Sequence, residues 1–437
     1  MRSTGRRPRW PAALAWGMPV AALLSLFVAV PAHADSMRDN EYWLDEYGIT
    51  DAWKSSKGAG VKVAIIDSGV DGSHPDLKGA VVGGTDVSGA GSSNGQKGIG
   101  EEPVHGTLVA SLLAGKGHGG KGNATRPDGV VGVAPEAQLL TVSTWLGSNN
   151  PAGKGIDEQI PEAVRWAVDH GAKVINMSLS STSPAWPVSW DSAFLYAEQH
   201  DVVIVAAAGN RESGMTQVGA PATIPGVVAV AGLKKDGSPS QGSSTQGITI
   251  AVSAPAEGLV GAVPGTGYAN WSGSSGAAPI VAGVAALIRS KYPDMKAAQV
   301  INRIIRSAKP AGKPVPNSIY GWGILDADAA VNADVAPVTV SPLPSLQEWI
   351  TIHRRNQPSP PPSSTSQPSQ GTANPSSSLP QPTTPVALPP EQLDSALPAT
   401  LVIGFGVLLV LILLGGATHL LILRRRSVTE ERSQNTS

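Results

Sequence analysis

Short apolar runs recur along the chain and predict the buried strands of a sheet. The runs cover residues 61–66, 138–142, 174–177, 202–206 and 227–231. Helical patterns fall between several of them. The clearest pattern has an apolar face formed by Ile160, Ala163, Val164 and Ala167, and Gly171 follows as a C-terminal cap. Strands that alternate with amphipathic helices indicate crossover units. The pattern therefore predicts an α/β fold with a doubly wound, mainly parallel sheet and helices on both faces.

The apolar pattern at the start of the chain is that of an export signal. Arginines are concentrated in residues 1–10, an apolar stretch covers 11–30, and Ala32-His33-Ala34 provides small residues for a signal peptidase. We interpret residues 1–34 as a signal peptide cleaved after Ala34. The alternative is an uncleaved N-terminal anchor.

Near the other end, an almost wholly apolar segment has the length of a bilayer span. Residues 399–423 predict one transmembrane helix, and Arg424, Arg425 and Arg426 follow it directly. By the positive-inside rule, residues 424–437 form a cytoplasmic tail. The two ends together predict a single-pass protein of the cell membrane with its main domain outside. A buried core helix is the alternative for this segment.

A change in composition near Ala336 divides the region between these ends. Residues 35–335 carry the glycine-rich alternation of apolar segments and form the predicted folded domain. Within them, residues 42–49 are typical of a domain start that wraps the core. Residues 336–398 repeat Pro, Ser, Thr and Gln, which indicates a disordered, semi-rigid linker. The linker would hold the domain away from the membrane.

Charge and cysteine content exclude several classes of function. Of 437 residues, 32 are Lys or Arg and 33 are Asp or Glu, so no overall field attracts nucleic acid. Cysteine is absent, which excludes disulfides, a structural zinc site built from thiolates and a cysteine nucleophile.

Two candidate catalytic side chains lie at element ends. Asp67 comes where the first apolar strand ends and a turn with Gly69 begins. His105 stands at or just before the first turn of a predicted helix over 108–115. Histidine suits a general base because its pKa lies near neutrality. Taken alone, the aspartate is equally well explained as a turn residue, and the histidine as an ordinary core or surface residue.

Two more polar residues fall in similar places. Ser275 precedes the helical run 280–289, whose first turn is predicted to include Pro279. Backbone N–H groups at a helix start favour the negative charge that forms when a serine attacks a carbonyl. Asn210 follows a strand of small residues and offers an amide donor for an oxyanion. Helix or turn capping is the alternative for both residues.

The sequence around these residues resembles the motifs of the subtilisin family. The matching segments are Asp-Ser-Gly-Val-Asp-Gly-Ser-His-Pro-Asp-Leu at 67–77, His-Gly-Thr at 105–107, Asn-Met-Ser-Leu at 176–179, Ala-Ala-Gly-Asn at 207–210 and Gly-Ser-Ser-x-Ala-Ala-Pro at 273–279. The resemblance covers about residues 42–331. It implies a subtilisin-like fold and a serine endopeptidase that forms an acyl-enzyme.

The resemblance also implies roles for individual residues. Asp67, His105 and Ser275 would form the catalytic triad, with the Asn210 amide and the Ser275 backbone N–H binding the oxyanion. A peptide or protein substrate would pair as an added strand between residues 178–181 and 206–209. The implied substrate-binding residues are Ser178, Leu179, Ser180, Ala207, Gly209 and Gly219. The family usually has Gly at Ser180 and Ser181, so added side chains there would narrow the cleft.

The resemblance implies neither a required cofactor nor a metal in the reaction. Asp76 matches a calcium ligand of the family, so a bound Ca²⁺ remains open. The order of the predicted segments resembles that of the mycosins, which are membrane-anchored subtilases of type VII secretion systems. These segments are a signal peptide, a subtilase domain, a proline-rich linker, one span and a basic tail. A type VII membrane complex is therefore the expected partner. The mycosins usually carry cysteines, which this chain lacks.

Three alternatives stand beside this interpretation. The domain could keep the fold as a non-catalytic scaffold subunit of a secretion complex. Leu397-Pro398-Ala399-Thr400 resembles a cell-wall sorting signal, which would replace a retained span, although Leu401 stands where Gly is expected. A wall-binding module is disfavoured because the linker has no aromatic platform.

Overall fold

The computed structural model describes residues 36–119, 128–354 and 391–392. No helix within these ranges is long and apolar enough to cross a membrane. The predicted signal peptide, transmembrane helix and tail lie outside the described residues, as does most of the predicted linker.

A seven-stranded parallel sheet forms the centre of the fold. Its strand order is β2-β5-β1-β6-β7-β8-β9, and every pairing in it is parallel. The strands are β1 (Lys62–Asp67), β2 (Val81–Asp86), β5 (Gln138–Ser143), β6 (Val174–Met177), β7 (Val203–Ala207), β8 (Val228–Leu233) and β9 (Ile250–Pro255). The five predicted strands are confirmed to within two residues at each end. The edge strands β2 and β9 were not predicted.

Two short antiparallel pairs lie outside this sheet. Strand β3 (Lys116–His118) pairs with β4 (Asp128–Val131), and β10 (Leu259–Ala262) pairs with β11 (Tyr268–Trp271). A two-residue strand, β12, covers Glu391–Gln392.

Helices cover both faces of the sheet, as predicted. They are α1 (Ser36–Asn40), α2 (Trp43–Glu46), α3 (Ile49–Ala52), α4 (His105–Ala114), α5 (Ile156–Asp169), α6 (Val188–Gln199), α7 (Ser274–Lys291), α8 (Ala297–Arg306), α9 (Ala327–Asn332) and α10 (Leu346–His353). Gly171 follows α5 with a φ of 83°, the left-handed conformation expected of a C-terminal cap.

Alternation along the central strand separates two hydrophobic cores. Val63 and Ile65 of β1 pack in the core that α4, α7, α8 and α9 cover. Ala64 and Ile66, between them in sequence, point to the other face and pack with α5 and α6. Because successive side chains of a strand point to opposite faces, the wholly apolar run at 63–66 fits a strand buried on both sides.

The N-terminal segment closes one end of the first core. Trp43, Leu44 and Ile49 are buried in it, which confirms that residues 42–49 wrap the core. The Ala327 N–H at the start of α9 donates to the Tyr47 carbonyl at 2.9 Å. The N-terminal segment is therefore bonded to the start of α9.

Helix α7 begins earlier than its apolar pattern suggested. It starts at Ser274, so Pro279 is its sixth residue, and the prediction that Pro279 lies in the first turn is wrong. Proline has no N–H, so the carbonyl four residues earlier, that of Ser275, receives no helical hydrogen bond. Ser178 compensates, because its Oγ donates to the Ser275 carbonyl at 2.7 Å.

Part of the predicted linker is folded. Residues 346–353 form α10, which Ser345 caps by accepting the Glu348 N–H. Leu346 is buried in the second core, and Trp349 and Ile350 pack against that core on the same side of the helix. These apolar residues recur at helical spacing and bury one face of the helix. They stabilise α10 although the surrounding sequence is rich in Pro and Ser.

Candidate active site

The carboxyl end of β1 supplies the first side chain of the site. Asp67 is fully buried, and its Oδ1 accepts the Ser68 N–H at 2.7 Å. The Ser68 Oγ accepts the Gly106 N–H at 3.0 Å, which ties the end of β1 to the first turn of α4. The carboxylate is thus held where α4 begins.

His105 is the first residue of α4, as the sequence predicted, and it faces Asp67. Its Nδ1 lies 2.8 Å from Asp67 Oδ1, so Nδ1 carries the proton that the carboxylate accepts. Its Nε2 is buried and has no hydrogen-bond partner among the described residues. The Trp271 and His105 rings pack edge to face, with 5.9 Å between their centroids.

The charges around His105 change its affinity for a proton. Burial lowers the pKa of His105, but the Asp67 carboxylate outweighs it through charge and the hydrogen bond, and Glu102 adds to the effect. The pKa of His105 is therefore above its ordinary value. Glu102 itself has a raised pKa, mainly because it is half buried.

Ser275 is the second residue of α7, where backbone N–H groups have no helical acceptors. The Ser275 Oγ donates to the Ser178 carbonyl at 3.3 Å, and not to His105. With the bond from Ser178 Oγ to the Ser275 carbonyl, two reciprocal contacts join the end of β6 to the start of α7.

Asn210 is held against the start of the same helix. Its Oδ1 accepts both the N–H and the Oγ–H of Ser274 at 2.9 Å. A Cβ placed on Gly273 would lie 3.2 Å from Asn210 Nδ2 and 3.7 Å from the Ser275 nitrogen. The two predicted oxyanion donors therefore border the same small space, which only glycine leaves open.

The predicted substrate-binding residues lie at the carboxyl ends of two neighbouring strands. Residues 178–180 follow β6, and residues 207–209 end or follow β7, which pairs with β6. Gly219 lies against the first segment, because a Cβ on it would meet the Ser181 carbonyl oxygen at 1.7 Å. The structure thus brings together all the residues that the sequence assigned to the cleft.

Among the described residues, Asp76 is bonded to nitrogen donors, and a Ca²⁺ at this residue stays a prediction. Asp76 is fully buried, its Oδ1 is 2.6 Å from His118 Nδ1, and its Oδ2 accepts the Val130 N–H at 2.8 Å. Calcium requires six or more oxygen ligands, whereas these neighbours are nitrogen donors. No group of three or more His, Cys, Asp or Glu residues in the described ranges could hold a metal.

Sequence reasoning missed three residues of the site. Glu102 and Trp271 act on His105 from nearby positions in the chain, Glu102 three residues before the histidine and Trp271 four residues before Ser275. Met215 lies against Gly209. Nothing in the sequence marks this methionine, since its contact depends on a loop returning to the strand end.

Comparison with known proteins agrees with this geometry. A family model described as the subtilase family matches residues 58–323. Subtilisin DY of Bacillus licheniformis is 38% identical over 276 residues, which are 63% of this chain and 92% of that protein. Mycosin-1 of Mycobacterium tuberculosis is 34% identical over 345 residues, which cover 68% of this chain and 74% of that protein.

A solved structure extends the likeness to the fold. The MycP3 protease from the type VII (ESX-3) secretion system is 31% identical, with a TM-score of 0.55 over 67% of this chain and 88% of that chain. A matched family model that spans more than half of the sequence, together with these relatives, establishes the family. The chain belongs to the subtilase family and is a subtilisin-like serine endopeptidase related to the mycosins.

Proposed function

We propose that this subtilase hydrolyses a peptide bond of an exported protein through Asp67, His105 and Ser275, while held at the cell membrane as part of a type VII secretion system. The proposed chemistry is supported by the buried hydrogen bond of 2.8 Å between His105 Nδ1 and Asp67 Oδ1. It fixes the neutral imidazole with its proton on Nδ1 and leaves Nε2 free to accept one.

The first step transfers a proton from Ser275 to His105. Rotation of the Ser275 side chain exchanges its bond to the Ser178 carbonyl for one to His105 Nε2. As Oγ bonds to the substrate carbonyl carbon, its proton passes to Nε2, and Asp67 stabilises the resulting cation. His105 then gives this proton to the leaving amine, and water hydrolyses the acyl-enzyme by the same route.

Negative charge on the former carbonyl oxygen requires donors that are already in place. Asn210 Nδ2 and the Ser275 N–H border one space, and Ser274 holds the amide by its oxygen. Donors that are oriented before the reaction stabilise the oxyanion without reorganisation.

The membrane and secretion parts of the proposal rest on similarity and on the sequence. Mycosin-1 is among the relatives, and the similar MycP3 structure comes from a type VII secretion system. Residues 399–423 have the length and apolarity of one span, followed by three arginines. The partners of the protein would be a protein substrate and that membrane complex.

Active-site labelling tests the chemistry. A fluorophosphonate probe is expected to label the wild-type protein and to leave Ser275→Ala unlabelled, because the probe bonds to an activated serine oxygen. Ser274→Ala, which removes the neighbouring hydroxyl, is the matched control and should keep the label. Labelling that persists in Ser275→Ala, or an unlabelled wild type, would contradict the proposal.

Experiments in cells separate catalysis from a scaffold role. Culture supernatants of cells with active protein and with Ser275→Ala should differ in the length of at least one secreted protein. If Ser275→Ala instead restores secretion fully in a deletion strain, with every secreted protein unchanged in length, the scaffold alternative holds. Extraction by detergent without wall digestion tests the retained span against wall attachment.

A further inference from the structure

The position of the Ser275 hydroxyl locates the substrate side chain next to the scissile bond. Near-attack geometry places the carbonyl carbon about 3–3.5 Å from Oγ, and the α-carbon of the same residue is only ~1.5 Å further on. Oγ touches the Ser178 carbonyl, and the oxyanion space adjoins Asn210. For a substrate that pairs as an added strand along residues 178–181 and 207–209, the side chain on the amino side of the scissile bond then enters the space between these segments.

The protein's own side chains occupy this space. A Cβ added to Gly209 would meet Met215 Sδ at 2.5 Å and Ser180 Oγ at 3.1 Å. A Cβ added to Gly219 would meet Ser180 Oγ at 2.8 Å. Met215 and Ser180 are each 2% exposed. The thioether and the hydroxymethyl group thus fill the room that the two glycines leave.

Backbone hydrogen bonds fix Gly219 and its neighbours beside Ser180 and Ser181. The Ser181 N–H donates to the Ala220 carbonyl at 2.8 Å, and the Ala220 N–H donates to the Ser183 carbonyl at 2.9 Å. These bonds join the segment after β6 to the segment that carries Gly219. A large substrate side chain would have to displace Met215 or break these bonds.

A local turn directs the methionine inward. Residues Arg211–Ser213 form one turn of 3-10 helix, and Gly214 ends it with a φ of 80°. This left-handed residue, four positions after Asn210, reverses the chain and returns Met215 to Gly209. The position of Met215 is therefore built into the loop that follows the oxyanion donor.

We propose that Met215 and Ser180 restrict the residue on the amino side of the scissile bond to a small side chain, such as Gly, Ala or Ser. The inference rests on the proposed role of Ser275 as the nucleophile and names the substrate class of that site.

Two reactive probes that differ in one side chain test the restriction. Peptidyl diphenyl phosphonates with Ala or Phe next to the phosphorus react with an activated serine, and their labelling rate constants report how each side chain fits. The wild-type full-length protein should react at least about tenfold faster with the Ala probe, since a few methylenes in a pocket change rates by such factors. This comparison needs no variant.

Variants assign the effect to the two side chains. The double variant Met215→Ala, Ser180→Gly should raise the Phe-to-Ala rate ratio by at least about tenfold, whereas Met215→Leu keeps the bulk and should keep the preference for Ala. Met295→Ala is the matched control, because Met295 follows the C-terminal end of α7, about 27 Å along the helix from its first residue. Its ratio should equal that of the wild type.

The outcomes separate the inference from the proposed function. A wild type that prefers the Phe probe, or a ratio unchanged in the double variant, overturns the size restriction while fluorophosphonate labelling of Ser275 stands. If Ser275 reacts with neither the phosphonates nor the simple fluorophosphonate, the proposed nucleophile and the inference both fall.

Discussion

His105 has one bonded and one unbonded ring nitrogen, and this asymmetry determines what it can do. Asp67 accepts from Nδ1 at 2.8 Å, whereas the buried Nε2 has no partner in the described chain. A buried acceptor without a donor costs free energy, so a donor that arrives there is bound favourably. In the proposed mechanism, the Ser275 hydroxyl, which here bonds to the Ser178 carbonyl, becomes that donor.

The raised pKa of His105 predicts where activity is lost in acid. A general base must be unprotonated, so kcat/KM should fall on the acid side at a pH above the value of about 6.5 usual for histidine. Glu102→Gln removes one of the charges that raise this pKa. The acid limb of the pH profile, where kcat/KM falls as His105 is protonated, should therefore move to lower pH. A pH profile of kcat/KM on a short peptide measures the shift.

Glu101→Gln provides the comparison for this prediction. Glu101 is the exposed neighbour of Glu102, and it is not among the groups that shift His105. Its acid limb should match that of the wild type. An acid limb that stays in place in Glu102→Gln, or moves upward, would exclude Glu102 as a group that tunes the base.

Asn210 allows a second residue-scale prediction. Asn210→Ala should lower kcat by about 10²- to 10³-fold with a smaller change in KM, as is typical when one oxyanion donor is lost. Ser274→Ala removes a hydroxyl that donates to the Asn210 oxygen and accepts the Gly209 N–H, but it leaves both proposed oxyanion donors in the chain, so it should lower kcat much less. Steady-state kinetics on the same peptide compares the two. Equal losses would mean that Asn210 acts as a structural cap.

The sequence indicated which residues meet in the site, but not how their contacts are arranged. Asp67, His105 and Asn210 were recognisable because each stands at an element end. The contact between Ser275 and Ser178 could not be predicted, because it depends on how the end of β6 packs against the start of α7. The catalytic roles themselves remain predictions.

At the scale of elements, α7 is a long buried helix whose backbone hydrogen bonding is interrupted near its start. Pro279 leaves the Ser275 carbonyl without its helical donor, and Ser178 supplies one from the end of β6. The sheet thereby holds the helix at the residue proposed to react. The apolar periodicity that starts at Ile280 gives no sign of the first turn, whose small residues fit either a loop or a helix.

The docking of α10 predicts a measurable contribution to stability. Leu346 is 1% exposed, so Leu346→Ala should lower the free energy of unfolding by about 2–4 kcal/mol through lost burial and a cavity. Urea unfolding followed by tryptophan fluorescence measures the change, because the Trp186 and Trp349 rings pack at this contact with 4.4 Å between their centroids.

An exposed position on the same helix serves as its control. Thr351→Ala removes an exposed side chain from α10 and should change the free energy of unfolding by less than about 0.5 kcal/mol. If Leu346→Ala were as mild as this control, α10 would not be a firmly packed part of the domain.

Prediction of strands succeeded at the centre of the sheet and failed at its two edges, even though the edge strand β9 is fully buried. The apolar runs of β1 and β6 identify them as central strands. Strand β2 has Gly83 and Gly84 in its interior and is only partly buried, so its pattern is not that of a strand. Helix α10 is short and lies among prolines and serines, which masked its apolar face.

At the scale of the whole molecule, Glu41 links the N-terminal segment to the body of the fold. Its Oε1 accepts the Val131 N–H at 2.8 Å, and its other oxygen pairs with Arg38. Burial raises the pKa of Glu41 to about 8, which outweighs the opposing effect of Arg38. The folded state therefore binds this proton more tightly than the unfolded state does.

This difference predicts how stability depends on pH. The contribution of Glu41 is complete below the value of about 4.5 usual for glutamate and is lost as the pH rises to about 8. The loss is on the order of a few kcal/mol. Glu41→Gln should remove this part of the pH dependence, whereas Glu46→Gln, at an exposed position, should leave it unchanged. Thermal unfolding between these pH values measures it, and identical slopes in all three proteins would contradict the assignment.

The bond between the Ala327 N–H and the Tyr47 carbonyl joins the N-terminal segment to α9, far along the chain. A contact between segments so distant in sequence closes a long loop, which costs conformational entropy until both segments are in place. The N-terminal segment and the start of α9 should therefore open together, so hydrogen exchange at the Ala327 N–H should quicken in step with exchange in residues 42–49.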